Sequence, residues 1–402
     1  MKGSFYRRGC KCGKKKCICG SKWAFTIDIG TDPKTGKRKQ KTKSGFKTLK
    51  EAEDAVTDLL YDLNQGNYTA DNNILFKDFA PLWLSMYCEE REVKPGTIRV
   101  RKHEIDKLMP YFGYLKLKDI NSNKYKQVLN TFKKCYSDKT VDGIHRAGRM
   151  IFKKAIEMEY IKKDPTQFVV LQKKKKSIEE LAKPPIPKYM EKRELALFLE
   201  TAAKYGLEMD YSTFLTLSYT GIRVGELVAL QWKDIDFEKK CIRIIKTYYN
   251  PKNNTVQYML VTPKTAGSVR TIVVEDDVIE ALKIHKKEQD KIKNRIGDSY
   301  TDNDFVFANT QKKVGYPILI KTVENRMKRL LKLAGLSDEL TPHSLRHTHT
   351  SLLAEAKVVL EDIMERLGHS DDDTTRNIYR HVTEVMKKEA SQKFGKLMRS
   401  VQ

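Results

Sequence analysis

The stretch TPHSLRHTHTSLL (341–353), with RLGHSDDDTTRNIYRHV (366–382) after it and YTGIRVGELVAL (219–230) far upstream, decides how this chain is read. Together the three segments supply Arg223, His343, Arg346 and His369, with Tyr379 ten residues beyond the last. Two arginines can clamp a phosphate, two imidazoles can move protons, and a tyrosine hydroxyl can act as nucleophile. That set suits phosphoryl transfer and calls for no metal. Thr341-Pro342 reads as an N-cap with proline at the first helical position, which puts His343 and Arg346 three apart on one face. Ser370 with Asp371, Asp372 and Asp373 marks another helix start and places Tyr379 on the helix that follows. Arg223 follows the Thr220-Gly221 break, where a side chain projects from a bend.

These residues resemble the tyrosine recombinase (phage-type integrase) family. Its signature is T-G-[LMI]-R-x-x-E, then H-x-L-R-H, then L-G-H, then a closing tyrosine. The chain carries Thr220-Gly221-Ile222-Arg223 with Glu226, His343-Ser344-Leu345-Arg346-His347, Leu367-Gly368-His369, and Tyr379. No single fragment is diagnostic; the ordered set is. The family also carries a lysine on a β-hairpin, and Lys264 in TPKTAGSVRTI (262–272) matches that place. CIRIIKT (241–247) and TVQYMLVT (255–262), joined by NPKNN (250–254), read as that hairpin, with VRTIVV (269–274) as a third strand.

The resemblance implies a 3′-phosphotyrosyl intermediate on Tyr379 and passage through a Holliday junction. Arg223 and Arg346 would hold the non-bridging oxygens, with His369 donating to the phosphate. Lys264 would protonate the 5′-oxygen; the general base stays open between His343 and Lys264. Glu226 would orient Arg223, and His347 and His349 have no assigned role. No cofactor is expected for catalysis, and rejoining would need no ATP. Two other readings remain: a type IB topoisomerase-like nicking-closing enzyme, and an inactive DNA-binding regulator. Two-site plasmids that recombine rather than merely relax would separate them.

Charge supports a polyanionic partner. The chain has 402 residues and a formal net charge of +25, and residues 1–50 hold sixteen Lys or Arg against two Asp. KWAFTIDIG (22–30), TDPKTGK (31–37) and RKQKTKSGF (38–46) read as strand, turn and strand, and Thr48 with Glu51 opens a helix by a capping box. A basic sheet backed by a helix resembles the arm-type DNA-binding domain of integrases. Cys10, Cys12, Cys17 and Cys19 cluster in this segment; in a cytosolic setting they are either a structural zinc site or free thiols. No continuous apolar run in the sequence reaches membrane-spanning length and the start MKGSFYRRGCKCG lacks an apolar stretch, so neither a membrane span nor a signal peptide is expected, and the protein should be cytoplasmic.

The fold class expected is α+β and multidomain. A small three-stranded sheet plus helix would occupy 1–70, and a helical SAM-like core-binding domain 74–172. A linker (173–190) would lead to a mainly-α catalytic domain with a small antiparallel sheet (191–383). In the second of these, Leu82, Trp83, Met86 and Tyr87 form an apolar stripe. Residues 384–402, with Val385, Phe394 and Leu397, read as an amphipathic helix that the resemblance docks on a neighbouring subunit. Partners implied are double-stranded DNA at core and arm sites, three further copies in a homotetramer, and an excisionase or DNA-bending protein.

Overall fold

The structure is a computed structural model that describes residues 3–10, 12, 19–31, 38–64, 73–171, 189–263, 268–368, 373–382, 391, 394 and 399. The chain divides into two compact units, 1–177 and 178–402.

The first unit opens with an antiparallel sheet in the order β1 (Ser4–Arg7), β2 (Trp23–Thr31), β3 (Arg38–Phe46). Phe5 faces Phe25, and Trp23 faces both Arg7 and Phe46. Alternation along β2 points Phe25 and Ile27 to one face, where helix α1 (Leu49–Asn64) covers them with Ala52 and Val56. Half of the expected capping box forms at the start of α1. The Glu51 amide donates to Thr48 Oγ1 at 3.2 Å, while the Glu51 carboxylate accepts from the Lys47 amide rather than from that of Thr48. Only four residues of this cluster are buried among those described. At roughly 1.5–3 kcal/mol per large apolar side chain, such a core is marginal.

Four helices follow: α2 (Phe76–Arg91), α3 (Pro95–Phe112), α4 (Ser122–Cys135) and α5 (Asp138–Glu157). Asn121 and Ser137 cap α4 and α5 by accepting from the amides of Lys124 and Thr140. The core is built from Phe76, Phe79, Leu108, Phe112, Tyr125, Ile151 and Phe152. One element of the sequence reading needs correcting. The buried stripe of α2 is Phe76, Phe79, Ala80 and Trp83, and Leu82 is 42% exposed. The phase set by the two phenylalanines puts Leu82 off the buried face.

The second unit packs α6 (Lys192–Tyr205), α7 (Asp210–Thr220), the short α8 (Val224–Val228), α9 (Asp276–Ile296), α10 (Ile320–Leu333), α11 (Pro342–Glu355) and α12 (Leu360–Leu367) around one core. Helix α7 is buried nearly all round despite five serines and threonines between 212 and 220. Three of those hydroxyls return to carbonyls four residues back: Thr216 to Ser212, Ser218 to Phe214 and Thr220 to Thr216. Their polarity is therefore satisfied within the helix. Thr348 and Thr350 do the same on α11, which lies against α7.

The strands of this unit depart from the expected hairpin. β4 (Ile235–Asp236), β5 (Cys241–Ile244) and β8 (Arg270–Val273) form one sheet, while β6 (Thr247–Tyr249) pairs with β7 (Met259–Val261) in another. The run 241–247 is thus broken, and its two halves pair with different strands. Ile242 and Ile244 are drawn into the core, and beyond them Lys246 turns to Asp234 at 2.6 Å. No helix among the described residues is long and apolar enough to cross a membrane.

Candidate active site

Arg223 stands at the N-cap of α8, two residues past the left-handed Gly221 that ends α7. At Gly221 φ is +63°, and a Cβ there would lie 2.6 Å from His349 Cδ2 and 2.8 Å from Leu367 Cδ2. Both hand and space demand glycine, which makes the bend that presents Arg223 obligatory. Glu226, in the first turn of α8, holds it: Oε2 accepts from the Arg223 amide at 3.0 Å and Oε1 from its Nη1 at 2.8 Å. Oε2 also accepts from Arg270 Nη2 at 2.9 Å. Burial pushes the Glu226 carboxyl up, but the bonds and charges of Arg270 and Arg223 outweigh it and hold the group below the usual carboxylate range.

Arg346 projects from the second turn of α11 and is only 2% exposed. Its Nη1 donates to Gly221 O at 2.6 Å and its Nη2 to Leu367 O at 2.8 Å. Carbonyl acceptors fix the guanidinium plane without neutralising its charge, so the group is preorganised for an anion. His343, one turn earlier, meets His347 edge-to-face with ring centroids 4.6 Å apart. Arg223, His343, Arg346, His347 and Thr350 line one cavity of about 160 Å³, which Thr374 and Thr375 complete from helical residues 373–382.

The predicted residues are thus partly assembled. Arg223, His343 and Arg346 share the cavity. Tyr379 lies on the helix that supplies Thr374 and Thr375, but it packs against the apolar cluster of Ala354, Ile363 and Leu367 and is not among the cavity-lining residues. Lys264 and His369 lie outside the described residues, as do Cys17, Ser370–Asp372, residues 173–188 of the expected linker (173–190) and most of 384–402. Cys10, Cys12 and Cys19 have sulfurs within 4.8 Å of one another.

Three features escaped the sequence reading. His347 lines the cavity with His343. His349, two residues on, is buried instead: Nδ1 donates to Ser218 O at 2.9 Å, and Nε2 accepts from Arg366 at 3.2 Å. Burial and then the Arg366 charge push its pKa down to about 3, so it stays neutral and structural. Arg270 is buried too, donating to Arg366 O, Ser268 O and Glu226. Its signal lay in β8, where the alternation of burial puts position 270 on the same inward face as Ile272. Gly368 closes against it: φ is +68°, and a Cβ would sit 3.1 Å from Arg270 Cδ.

The comparisons agree with this geometry. Residues 188–385 match the Phage integrase family, 11–63 an Arm DNA-binding domain, and 75–133 the Phage integrase, N-terminal SAM-like domain. An integrase of Staphylococcus phage L54a is 40% identical over 44% of this chain, and the match spans 49% of that relative. The ICEBs1 integrase of Bacillus subtilis is 26% identical over 95% of this chain and 99% of its own length. The fold is similar to that of the Tn1549 transposon integrase solved with transposon right end DNA (TM-score 0.62, 22% identity, 79% of this chain and 100% of that one). The chain therefore belongs to the phage integrase family, and it is a site-specific tyrosine recombinase, an enzyme that breaks and rejoins DNA.

Proposed function

We propose that this recombinase integrates and excises a mobile element, cutting one strand of each duplex through Tyr379 and resolving a Holliday junction. The observation that carries the reading is the shared cavity, in which two arginines and His343 meet the end of the Tyr379 helix. The tyrosine Oη attacks phosphorus, a 3′-phosphotyrosyl bond forms, and the 5′-oxygen leaves as a hydroxyl. Tyrosine ionises near pH ~10, so a base must take its proton. His343 lines the cavity and serves as that base, Lys264 protonates the 5′-oxygen, and His369 donates to the phosphate. Arg223 and Arg346 stabilise the charge gathering on the non-bridging oxygens, the role a divalent ion would otherwise fill. Cleavage should therefore survive EDTA.

Residues 1–70 act as the arm-site domain, 74–172 and 191–383 grip the core site, and 384–402 docks on a neighbouring protomer. The face of the first sheet away from α1 carries Ser4, Tyr6, Thr26, Thr42 and Ser44, uncharged donors and acceptors suited to base edges. A cleft of about 630 Å³ lined in part by Leu195, Leu199, Leu352 and Leu353 supports a seat for the docking segment. Four protomers on two duplexes, with an excisionase or DNA-bending protein setting direction, complete the assembly in the cytoplasm. The test is Tyr379→Phe on a nicked suicide substrate. DNA binding should persist while the covalent adduct disappears. An adduct formed by the variant would remove Tyr379 from the mechanism.

A further inference from the structure

The connection between β1 and β2 is fifteen residues long, from Arg8 to Lys22, and among the described residues it has no helix or strand of its own. Loops of that length inside a small domain are uncommon unless something organises them. The strand that depends on it is weakly held. β1 is four residues long, lies at the sheet edge, and contributes only the partly buried Phe5 to the core behind the sheet.

Three thiols gather at this connection. Cys10 and Cys12 follow β1, Cys19 precedes β2, and their sulfurs all lie within 4.8 Å of one another. The Cys10–Cys19 pair is 3.7 Å apart. Sulfurs at Zn–S ≈ 2.3 Å on a tetrahedron are separated by about 3.8 Å, whereas a disulfide would bring them to about 2.05 Å. The turn that delivers Cys10 is ordered: the Cys10 amide donates to Arg7 O, and the Arg8 amide extends the ladder by donating to Lys22 O. Arg7 stacks on Trp23 at 4.8 Å, which ties the end of β1 to the start of β2.

We propose that Cys10, Cys12 and Cys19 bind a structural zinc ion, and that the ion staples β1 to the sheet. Thiolate ligands suit zinc, and three sulfurs at this spacing match the edges of a zinc tetrahedron. Because the site does not preform in an unfolded chain, ion binding adds directly to the stability of this small domain. The metal assignment stands apart from the arm-site reading; only its consequence for DNA rests on that reading.

The test uses full-length protein purified without chelator. Zinc should be found at one equivalent per chain by elemental analysis. Cys10→Ser, Cys12→Ser and Cys19→Ser should each lower retention against a competing chelator by about tenfold or more, while Cys135→Ser should retain it. Cobalt(II) in place of zinc should show thiolate-to-metal charge transfer. Chelation should speed hydrogen exchange at the β1 amides without affecting cleavage of core-site DNA. Protein free of zinc, a mass 2 Da light without reductant from a disulfide, or zinc retained in all three variants would each overturn the site. Unchanged exchange at β1 after zinc removal would overturn the staple. Loss of zinc and of β1 protection with arm-DNA affinity intact would support the site and count against the arm-site reading alone.

Discussion

Replacing Glu226 with glutamine changes one atom and tests how the cavity is held. The carboxylate serves three donors: Oε1 takes Arg223 Nη1, while Oε2 takes both the Arg223 amide and Arg270 Nη2. Glutamine offers one oxygen. Turned so that the oxygen keeps the two donors at the Oε2 position, it faces its own NH₂ against Arg223 Nη1. Turned the other way, it loses both. The first orientation wins, so Glu226→Gln should selectively release the Arg223 side chain. A bond to a charged group contributes about 1.5–3 kcal/mol, but the Arg223 side chain is 37% exposed and water screens it, so its share falls to about 1 kcal/mol. The Arg270 side chain is 6% exposed and that of Glu226 3%, so removing the negative charge between them adds the larger share. A total loss of about 2–3 kcal/mol in urea unfolding is expected.

The pH dependence has a definite sign. The Glu226 pKa is depressed in the fold, so its stabilisation is present above the unfolded carboxylate pKa and lost as pH falls through the folded value. The variant should lack that acid-side loss. Core-site cleavage should fall roughly tenfold or more, because a freed Arg223 must be re-ordered in the transition state. Wild-type unfolding and wild-type cleavage together in Glu226→Gln would refute the claim that this carboxylate positions Arg223.

Gly221→Ala forces a Cβ into a left-handed residue and against His349 and Leu367, so denaturant melts should show a loss of about 2–4 kcal/mol; wild-type stability would mean that the bend relaxes freely. His349 has a folded pKa pushed down to about 3, so its contribution is complete above the unfolded value and declines below it. Between pH 7.5 and 5 the wild type should lose about 2 kcal/mol more than His349→Gln, and parallel stability profiles would show that this imidazole does not titrate on unfolding. Deleting residues 1–70 should leave nicking of core-site DNA intact, abolish arm-site binding and flatten the dependence of affinity on salt. Failure of nicking in that truncation would place the N-terminal segment in the catalytic assembly.

The sequence alone determined the order of the motifs, the basic character of the first fifty residues and the starts of the key helices. Those signals are local. Proline after Thr341, glycine at 221 and the Thr48–Glu51 cap act within one turn of backbone, so they can be read without knowing what packs where. Tertiary structure decided which side chains face inward. Two residues separate His347 in the cavity from His349 in the core, and only the neighbours of α11 distinguish them. Arg346 is aimed by carbonyls 125 and 21 residues away, and Glu226 meets Arg270 across 44 residues. The run 241–247 looked like one strand because it is rich in isoleucine with no glycine or proline to break it, yet long-range pairing split it between two sheets. Tyr379 shows the division most clearly: its place on a helix follows from the acidic residues before it, but its seat on Ala354, Ile363 and Leu367 is a packing decision. Backbone propensity is short-ranged, whereas burial is set by contacts that the fold must first bring together.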